Sequence, residues 1–258
     1  MPRMLAIVVV AGLISGLLVG GFHNLFTVPV IERAIALEEE RAAVVAGNAS
    51  GHEEKEAPLV SLGVQRVGMT VGTGIYGAIL GLVFAGGYAL LRRFTPQWRP
   101  LALALATGAL GFWALSLFPF IRFPLNPPGV GEETTLTYRQ GYQALFMVLS
   151  AVGAAVLLVL LERIKSWASQ ASQRLLLYGF VLVAYAVFAA IIVFAMPGNP
   201  DPVQVPVDLL ELFRTLTMVG QFLQWVLLAL GVALALTWYE RSAALAAKTL
   251  SRGIPARQ

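Results

Sequence analysis

Residues 140–161 read QGYQALFMVLSAVGAAVLLVLL, a run of 22 residues with no acidic or basic side chain. A helix of that length rises about 33 Å, which is enough to cross the roughly 30 Å hydrocarbon core of a bilayer. A charged side chain at the centre of such a helix costs about 2.5–3.5 kcal/mol, so membrane spans exclude charge. The segment therefore predicts a transmembrane helix.

Five more windows of similar length carry no Asp, Glu, Lys or Arg: Met4–Val30, Val67–Leu91, Leu101–Ile121, Leu175–Pro200 and Thr215–Tyr239. Only 12% of the 258 residues are charged and 58% are hydrophobic, with a mean hydropathy of +0.76. Soluble domains carry about 25% charged residues, so this chain lacks the charge to cover a surface in water. We predict an all-α polytopic membrane bundle of about six transmembrane helices, with residues 1–258 forming a single membrane domain.

The segments between these windows divide into two sets by charge. The N-terminus, residues 92–100, residues 162–174 and the C-terminal tail hold 11 of the 18 basic residues but only two of the 14 acids. Because basic loops stay on the cytoplasmic side, we expect a multi-pass membrane protein with both termini in the cytoplasm. The pI of 9.6 then reflects topology. The lipid bilayer is the expected partner, and no nucleic-acid partner is expected.

The N-terminal segment has two interpretations. Arg3 followed by a long apolar run resembles a secretory signal peptide. However, residues 19–24 offer no small-residue cleavage site of the A-x-A kind. We therefore treat Met4–Val30 as the first span rather than as a leader that is removed.

The composition also limits the kinds of metal site and catalytic site that the chain can form. The chain has no Cys, which excludes disulfides and thiolate metal sites. Residues 72–77 match the dinucleotide fingerprint G-x-G-x-x-G, but that motif needs a preceding strand, and this copy lies within an uncharged span. The sequence contains no nucleophile–base arrangement, metalloprotease helix or phosphate loop. We predict that the protein is not an enzyme and holds no permanently bound cofactor.

The span that contains this motif is rich in glycine. Gly68 and Gly72, and then Gly77 and Gly81, are each separated by three residues, a spacing that lets a second helix backbone approach closely. We predict that this span is a central packing helix. The alternative is that its glycines line a translocation path.

The charge pattern repeats three times along the chain. Each module contains a span, a loop, an Arg, a second span and a basic end. The modules cover approximately residues 1–95, 96–168 and 169–245, followed by a cytoplasmic tail at 246–258. The Arg residues after the loops, Arg66, Arg139 and Arg214, are 73 and 75 residues apart. We predict three two-helix repeats related by an axis along the membrane normal, as in some transporters.

Two helix-breaking loops have matching sequences. Asn126-Pro127-Pro128 follows the third span and Asn199-Pro200-Asp201 follows the fifth, while His23 and Asn24 begin a weaker counterpart after the first. Proline removes a backbone donor, and freed carbonyls beside an Asn amide oxygen suit a divalent cation. The candidates for a substrate or ion path are Asn126, Asn199, His23, Asn24 and Asp201. If these loops lie in water, they are only turns.

Arg66, Arg139 and Arg214 begin spans at the same membrane boundary and also have two interpretations. They are either structural clamps that bond loop carbonyls and nearby acids, or a ring of positive charge at the mouth of the bundle. A bare ring would repel a cation and attract an anion. For cation transport we therefore expect clamps.

The loop motifs resemble those of the CbtA family of predicted cobalt transporter subunits. The matching residues are Pro124-x-Asn126-Pro127-Pro128-Gly129-Val130-Gly131-Glu132 with Tyr138-Arg139, then Asn199-Pro200-Asp201, and Pro206-x-x-Leu209-Leu210-x-x-Phe213-Arg214. The resemblance spans nearly the whole chain. It implies an inner-membrane component of cobalt(II) uptake linked to cobalamin supply, often beside a small single-span companion subunit with a His-rich segment.

The first loop departs from the family pattern. Family members tend to carry several histidines there, whereas this loop has His52 alone, and Gln65 stands where an acid tends to precede the Arg. The candidates for weak metal capture in this loop are His52, Glu53 and Glu54.

Three functions from different classes follow from these observations. The preferred one is an integral membrane subunit of a divalent metal uptake system, with cobalt(II) as the substrate. The alternatives are a channel or carrier for another small solute or anion, and a membrane scaffold subunit without transport activity of its own. The sequence shows no ATP site, so any pumping energy must come from a partner or an ion gradient.

Overall fold

A computed structural model describes residues 2–48, 61–127, 133–201 and 205–252. These ranges contain no strand and six helical segments that are long and apolar enough to cross a membrane, one for each uncharged window. The segments are Met4–Arg41, Gly63–Phe94, Pro100–Arg122, Leu136–Trp167, Ala171–Ala195 and Val207–Ser242. The predicted all-α membrane bundle of six spans is confirmed.

Eight α-helices build these spans within the described ranges. They are α1 (Pro2–Phe22), α2 (Val28–Asn48), α3 (Leu62–Phe94), α4 (Pro100–Phe112), α5 (Phe118–Arg122), α6 (Leu136–Trp167), α7 (Ala171–Ala195) and α8 (Val207–Arg252). One π-helical turn, His23–Thr27, joins α1 to α2, and another, Trp113–Leu117, joins α4 to α5. A short 3₁₀ turn, Glu133–Thr135, precedes α6.

The helices run up and down, so the connections fall at two ends of the bundle. Residues 123–127 and 196–201 lie at one end, which we call the long-loop end. Residues 95–99 and 168–170 lie at the other, which we call the short-loop end. The expected cytoplasmic loops all belong to the short-loop end.

Proline explains both π-helical turns. The wide turns end two residues before Pro29 and Pro119, and the residue directly before each proline donates its N–H to the carbonyl five residues back. Proline cannot donate a helix bond, and its ring collides with the carbonyl four residues back in a regular helix. A wider turn relieves this collision. The break expected at residues 23–29 is therefore wrong: the chain stays helical to Asn48, and much of the acidic first loop is helix α2.

α1 and α3 pack antiparallel with their backbones in direct contact. A Cβ at Gly16 would collide with the carbonyl of Thr73, and one at Gly77 would collide with the backbone of α1. Close packing of α3 is thus confirmed at Gly77. A Cβ at Gly68 or Gly72 would have no neighbour within 4 Å, so that pair takes no part in the packing.

The main core lies where α1, α3, α4 and α8 meet. Among its most deeply buried side chains are Phe84, Leu103, Trp225 and Leu228. A second cluster around Phe146 joins α5, α6 and α7. The large apolar side chains on the outer faces of the helices stay exposed, as expected where lipid covers a span.

The helix pairs of the three predicted modules have different packing partners. α1 and α3 contact each other directly, whereas α7 packs against α6, and α8 packs against α1 and α4. α7 lies at the periphery and buries only Val181 and Ile192. The module boundaries and their rotational relation stay predictions.

Candidate functional site

Helices end at both Asn-Pro segments, as their prolines predict. α5 ends at Arg122 and α7 ends at Ala195, and residues 123–127 and 196–201 follow without helix. The last carbonyls of a helix and those of the loop after it need donors from elsewhere. Arginine side chains supply several of them at the long-loop end.

Arg214 of α8 binds the first of these segments. Its Nε donates to the carbonyl of Leu125 at 3.2 Å, and its Nη2 donates to Oδ1 of Asn126 at 2.9 Å. The Asn126 amide oxygen therefore accepts a charge-assisted hydrogen bond from the protein itself. A metal ion at Asn126 would have to compete with this guanidinium.

Arg139 and Thr135 bind the second segment through Asp201. The Asp201 side chain is 3% exposed, and its Oδ2 lies 3.2 Å from Nε of Arg139. The Thr135 hydroxyl lies 2.8 Å from both carboxylate oxygens, and the backbone N–H of Asp201 donates to Oδ1 of Asn199 at 3.1 Å. The segment is thus folded around a buried carboxylate whose charge Arg139 compensates.

Arg122, at the end of α5, makes a further contact that the regular Arg spacing did not reveal. Its Nε and Nη2 both donate to the carbonyl of Met196. The second module therefore binds the segment after α7, while Arg214 of the third module binds the segment after α5. The position of a basic residue directly before the loop was the available signal in the sequence.

Arg66 of α3 differs from Arg139 and Arg214. Its Nη2 lies 2.8 Å from Oε1 of Glu32 on α2, and the two side chains are 48% and 36% exposed. The three arginines thus each bind an acceptor of their own, and each bond ties together two different parts of the chain.

His23 and Asn24 lie on the π-helical turn that ends α1, where α3 and α8 come close. Nδ2 of Asn24 donates to Oγ1 of Thr70 at 2.6 Å, and its Oδ1 is buried with no hydrogen-bond partner. Nδ1 of His23 lies 2.8 Å from Oγ1 of Thr27, and the imidazole packs directly on Gly220 of α8. π-helical turns are frequent at functional sites.

Polar side chains continue from this turn into the bundle. Nε2 of Gln224 donates to Oγ of Ser15 at 2.8 Å, and both residues are 1% exposed. Oε1 of Gln224 is buried without a partner. Oε1 of Gln221 accepts from the Ser116 hydroxyl at 3.1 Å, and Oγ of Ser116 accepts from Trp225 Nε1 at 3.0 Å.

We call the line between α1, α3 and α8 the polar seam; it comprises Asn24, His23, Gln221, Gln224 and Ser15.

The two glutamines of the seam had a sequence signal that charge windows miss. Gln221 and Gln224 stand three residues apart in an uncharged span, so they lie on one face of α8. Neutral amides do not interrupt a hydrophobic window, yet each needs a hydrogen-bond partner in hydrocarbon. Ser116 supplies one of them, through its hydrogen bond to Gln221.

In the described parts of the chain, no group of three His, Asp or Glu side chains lies close enough together to hold a metal ion. His52, Glu53 and Glu54 fall outside the described residues, so metal capture by the first loop stays a prediction. The seam offers the imidazole of His23 with amide and hydroxyl oxygens instead. Such a set of donors binds a cation weakly and reversibly.

Six apolar spans around a neutral polar seam define a polytopic α-helical membrane protein. The family model described as "Probable cobalt transporter subunit (CbtA)" matches residues 1–238, nearly the whole chain. The protein belongs to this family, as its loop motifs predicted, and a transporter subunit is not an enzyme class. No curated protein and no solved structure matched in the corresponding comparisons.

Proposed function

We propose that the protein is the membrane-embedded subunit of a cobalt(II) uptake system of the bacterial inner membrane, linked to cobalamin supply. The observation that carries this proposal is the family match over residues 1–238. The polar side chains buried along one line of the six-span bundle support it, because polar residues inside membrane-spanning segments commonly mark substrate or ion pathways.

The cation path in this proposal follows the polar seam. His23 and Asn24 form its mouth at the long-loop end, where one amide oxygen is buried without a partner. Imidazole nitrogen and amide oxygen are both donors that Co(II) accepts. The path then continues past Gln221 and Gln224 toward the short-loop end.

The arginines act as clamps in the same proposal. Arg214 binds Asn126, and Arg139 binds Asp201, so their charge is compensated by acceptors on the loops. These contacts favour clamps over an open positive ring, and they weaken the alternative of an anion path. They also favour a structural role for Asn126 and Asn199, whose amide oxygens accept hydrogen bonds within the protein.

The long-loop end faces away from the cytoplasm in this proposal. The support is the charge distribution, because the short-loop side carries 11 of the 18 basic residues. Uptake then runs from the long-loop end to the short-loop end. A His-rich single-span companion subunit would supply the metal capture for which the described residues offer no cluster.

The test is metal accumulation in cells with and without the gene, measured for cobalt, nickel and zinc at trace concentrations. The proposal predicts that deletion lowers cobalt accumulation selectively and that a plasmid copy restores it. Equal accumulation of all three metals in both strains would contradict cobalt uptake. A loss of nickel or zinc alone would assign the protein a different substrate.

A further inference from the structure

Gln224 lies deep within the membrane-spanning part of α8, about 26 Å from the first residue of that helix. Its side chain is 1% exposed, and its Nε2 donates to Ser15, but its Oε1 has no hydrogen-bond partner. Buried amide oxygens are nearly always paired with protein or with ordered water. An unpaired one at this depth therefore points to a ligand.

A second unpaired amide oxygen lies on the same seam. Oδ1 of Asn24 is buried without a partner, and Asn24, on the π-helical turn, follows Ser15 of α1 by nine helical residues, roughly 14 Å. Between these two levels His23 packs on Gly220, one turn of α8 before Gln224. The two oxygens thus mark two levels of one line that runs from the long-loop end into the bundle.

We propose that Oε1 of Gln224 and Oγ of Ser15 form a transit site for the transported divalent cation inside the membrane; this rests on the proposed function. Both atoms are hard, neutral oxygen donors, which bind such a cation together with part of its water. The uncharged windows Met4–Val30 and Thr215–Tyr239 place no acid beside them, so binding is weak. A path requires weak sites, because an ion that binds tightly does not leave.

A purely structural role gives a different expectation. Hydrogen bonds such as that between Gln224 and Ser15 also hold membrane helices together. That role uses Nε2 of Gln224 and gives no use to its unpaired Oε1. Ser150 of α6 offers a matched control, since it is 0% exposed, its Oγ has no partner, and it lies outside the seam.

The first test is cobalt uptake by the double variant Ser15→Ala/Gln224→Met, with Ser150→Ala as the control. Replacing both partners of a buried hydrogen bond by apolar groups of similar shape is close to neutral for stability, so folded protein is retained. The transit site predicts that the initial rate per folded molecule falls by a factor of roughly ten or more, because the coordinating oxygens are gone. The control should keep the wild-type rate. A double variant with the wild-type rate overturns the site.

The second test does not depend on uptake and exploits the absence of Cys from the chain. Ser15→Cys and Ser150→Cys are treated in membranes with a small, permanently charged thiol reagent, with and without CoCl₂, NiCl₂ or ZnCl₂. The charge is essential, because an apolar groove of about 410 Å³ on the outer face of α1 and α8 reaches Ser15 and would admit a neutral reagent. The site predicts labelling of Ser15→Cys alone, and protection by a divalent chloride.

The outcomes separate this site from the proposed function. No labelling of Ser15→Cys, equal labelling of both variants, or labelling that no divalent chloride slows would each overturn the site. Suppose that NiCl₂ or ZnCl₂ alone protects Ser15→Cys and that cells with the gene accumulate no more cobalt than cells without it. This result would support the transit site and contradict the proposed substrate. Protection by CoCl₂ supports both.

Discussion

The arginines at the long-loop end differ in how deeply their partner carboxylates are buried. The Asp201 carboxylate beside Arg139 is 3% exposed, whereas the side chains of Arg66 and Glu32 are 48% and 36% exposed. Removing the partner of a buried charge leaves that charge uncompensated, while an exposed pair is screened by water. The regular spacing of the arginines predicted contacts with loops and acids, but not this difference in burial. Burial depends on how distant helices pack.

Arg139→Ala is therefore expected to destabilise the protein far more than Arg66→Ala. The free energy of unfolding should fall by about 3 kcal/mol for Arg139→Ala. It should fall by less than about 1 kcal/mol for Arg66→Ala. Thermal unfolding of the purified proteins in one detergent measures both. Equal losses would show that the burial of Asp201 does not decide the strength of the contact.

A second residue prediction concerns the imidazole of His23, which packs on Gly220. A Cβ at position 220 would overlap the ring, so Gly220→Ala should cost about 1–3 kcal/mol through overpacking. Removing the ring should remove the collision. The double variant His23→Ala/Gly220→Ala should recover much of the folded yield that Gly220→Ala loses, as judged by size-exclusion chromatography in detergent. Additive losses in the double variant would contradict the contact.

Among the helices, α1 and α3 form the closest pair because their glycines let the backbones touch. Gly16→Ala places a methyl group against the carbonyl of Thr73 and should cost about 1–3 kcal/mol. Gly72→Ala is the matched control, because a Cβ there has no neighbour within 4 Å. In a helix the same change otherwise stabilises by about 0.5–1 kcal/mol. Thermal unfolding should move in opposite directions for the two variants, and a shift in the same direction would contradict the packing.

Much of the fold at this scale was predictable from charge alone. Lipid excludes charge from every span, so the six uncharged windows predicted the six membrane helices. The π-helical turns were not predictable in this way, because Pro29 reads as a helix breaker and only the local rearrangement of hydrogen bonds shows that the helix continues. The sequence did not predict that the glycines of α1 pack against α3, because the partner of Gly16 belongs to another helix.

The candidate site was only partly predictable. His23 and Asn24 stood out by their place before a proline, and they contact Gly220 and Thr70 at the end of α1, but their role in an ion path stays a prediction. Gln224 and Ser15 did not, since neutral polar residues blend into a hydrophobic window. Their contact joins residues 209 positions apart, and it exists only after α1 and α8 have packed.

For the whole molecule, the charge distribution predicts one orientation in the membrane. The short-loop end should face the cytoplasm, and residue 50 should lie on the opposite, extracytoplasmic side of the membrane. Because the chain has no Cys, a single Ser50→Cys substitution provides a unique thiol. It should react with a membrane-impermeant reagent in intact cells, with Ser166→Cys near the short-loop end as the protected control. Labelling of Ser50→Cys only after lysis would reverse the topology.

The seam and the long-loop end have different roles in the proposed function. In this view the seam carries the cation, while Arg139 and Arg214 hold the loops that shape its mouth. Both kinds of variant lower total uptake in cells, but for different reasons. Only the rate per folded molecule separates transport from stability.

The most direct test is the initial rate of cobalt uptake divided by the amount of folded protein, for His23→Ala and Asn24→Ala against Asn126→Ala, Asn199→Ala and Arg214→Ala. The two seam variants should lose most of the rate per folded molecule. The three loop variants should lose folded yield and keep that rate, because each removes a half-buried hydrogen bond at a cost of about 1 kcal/mol. Loss of the rate in Asn126→Ala and Asn199→Ala at full yield, with normal uptake in both seam variants, would place the cation at the loops and contradict the account.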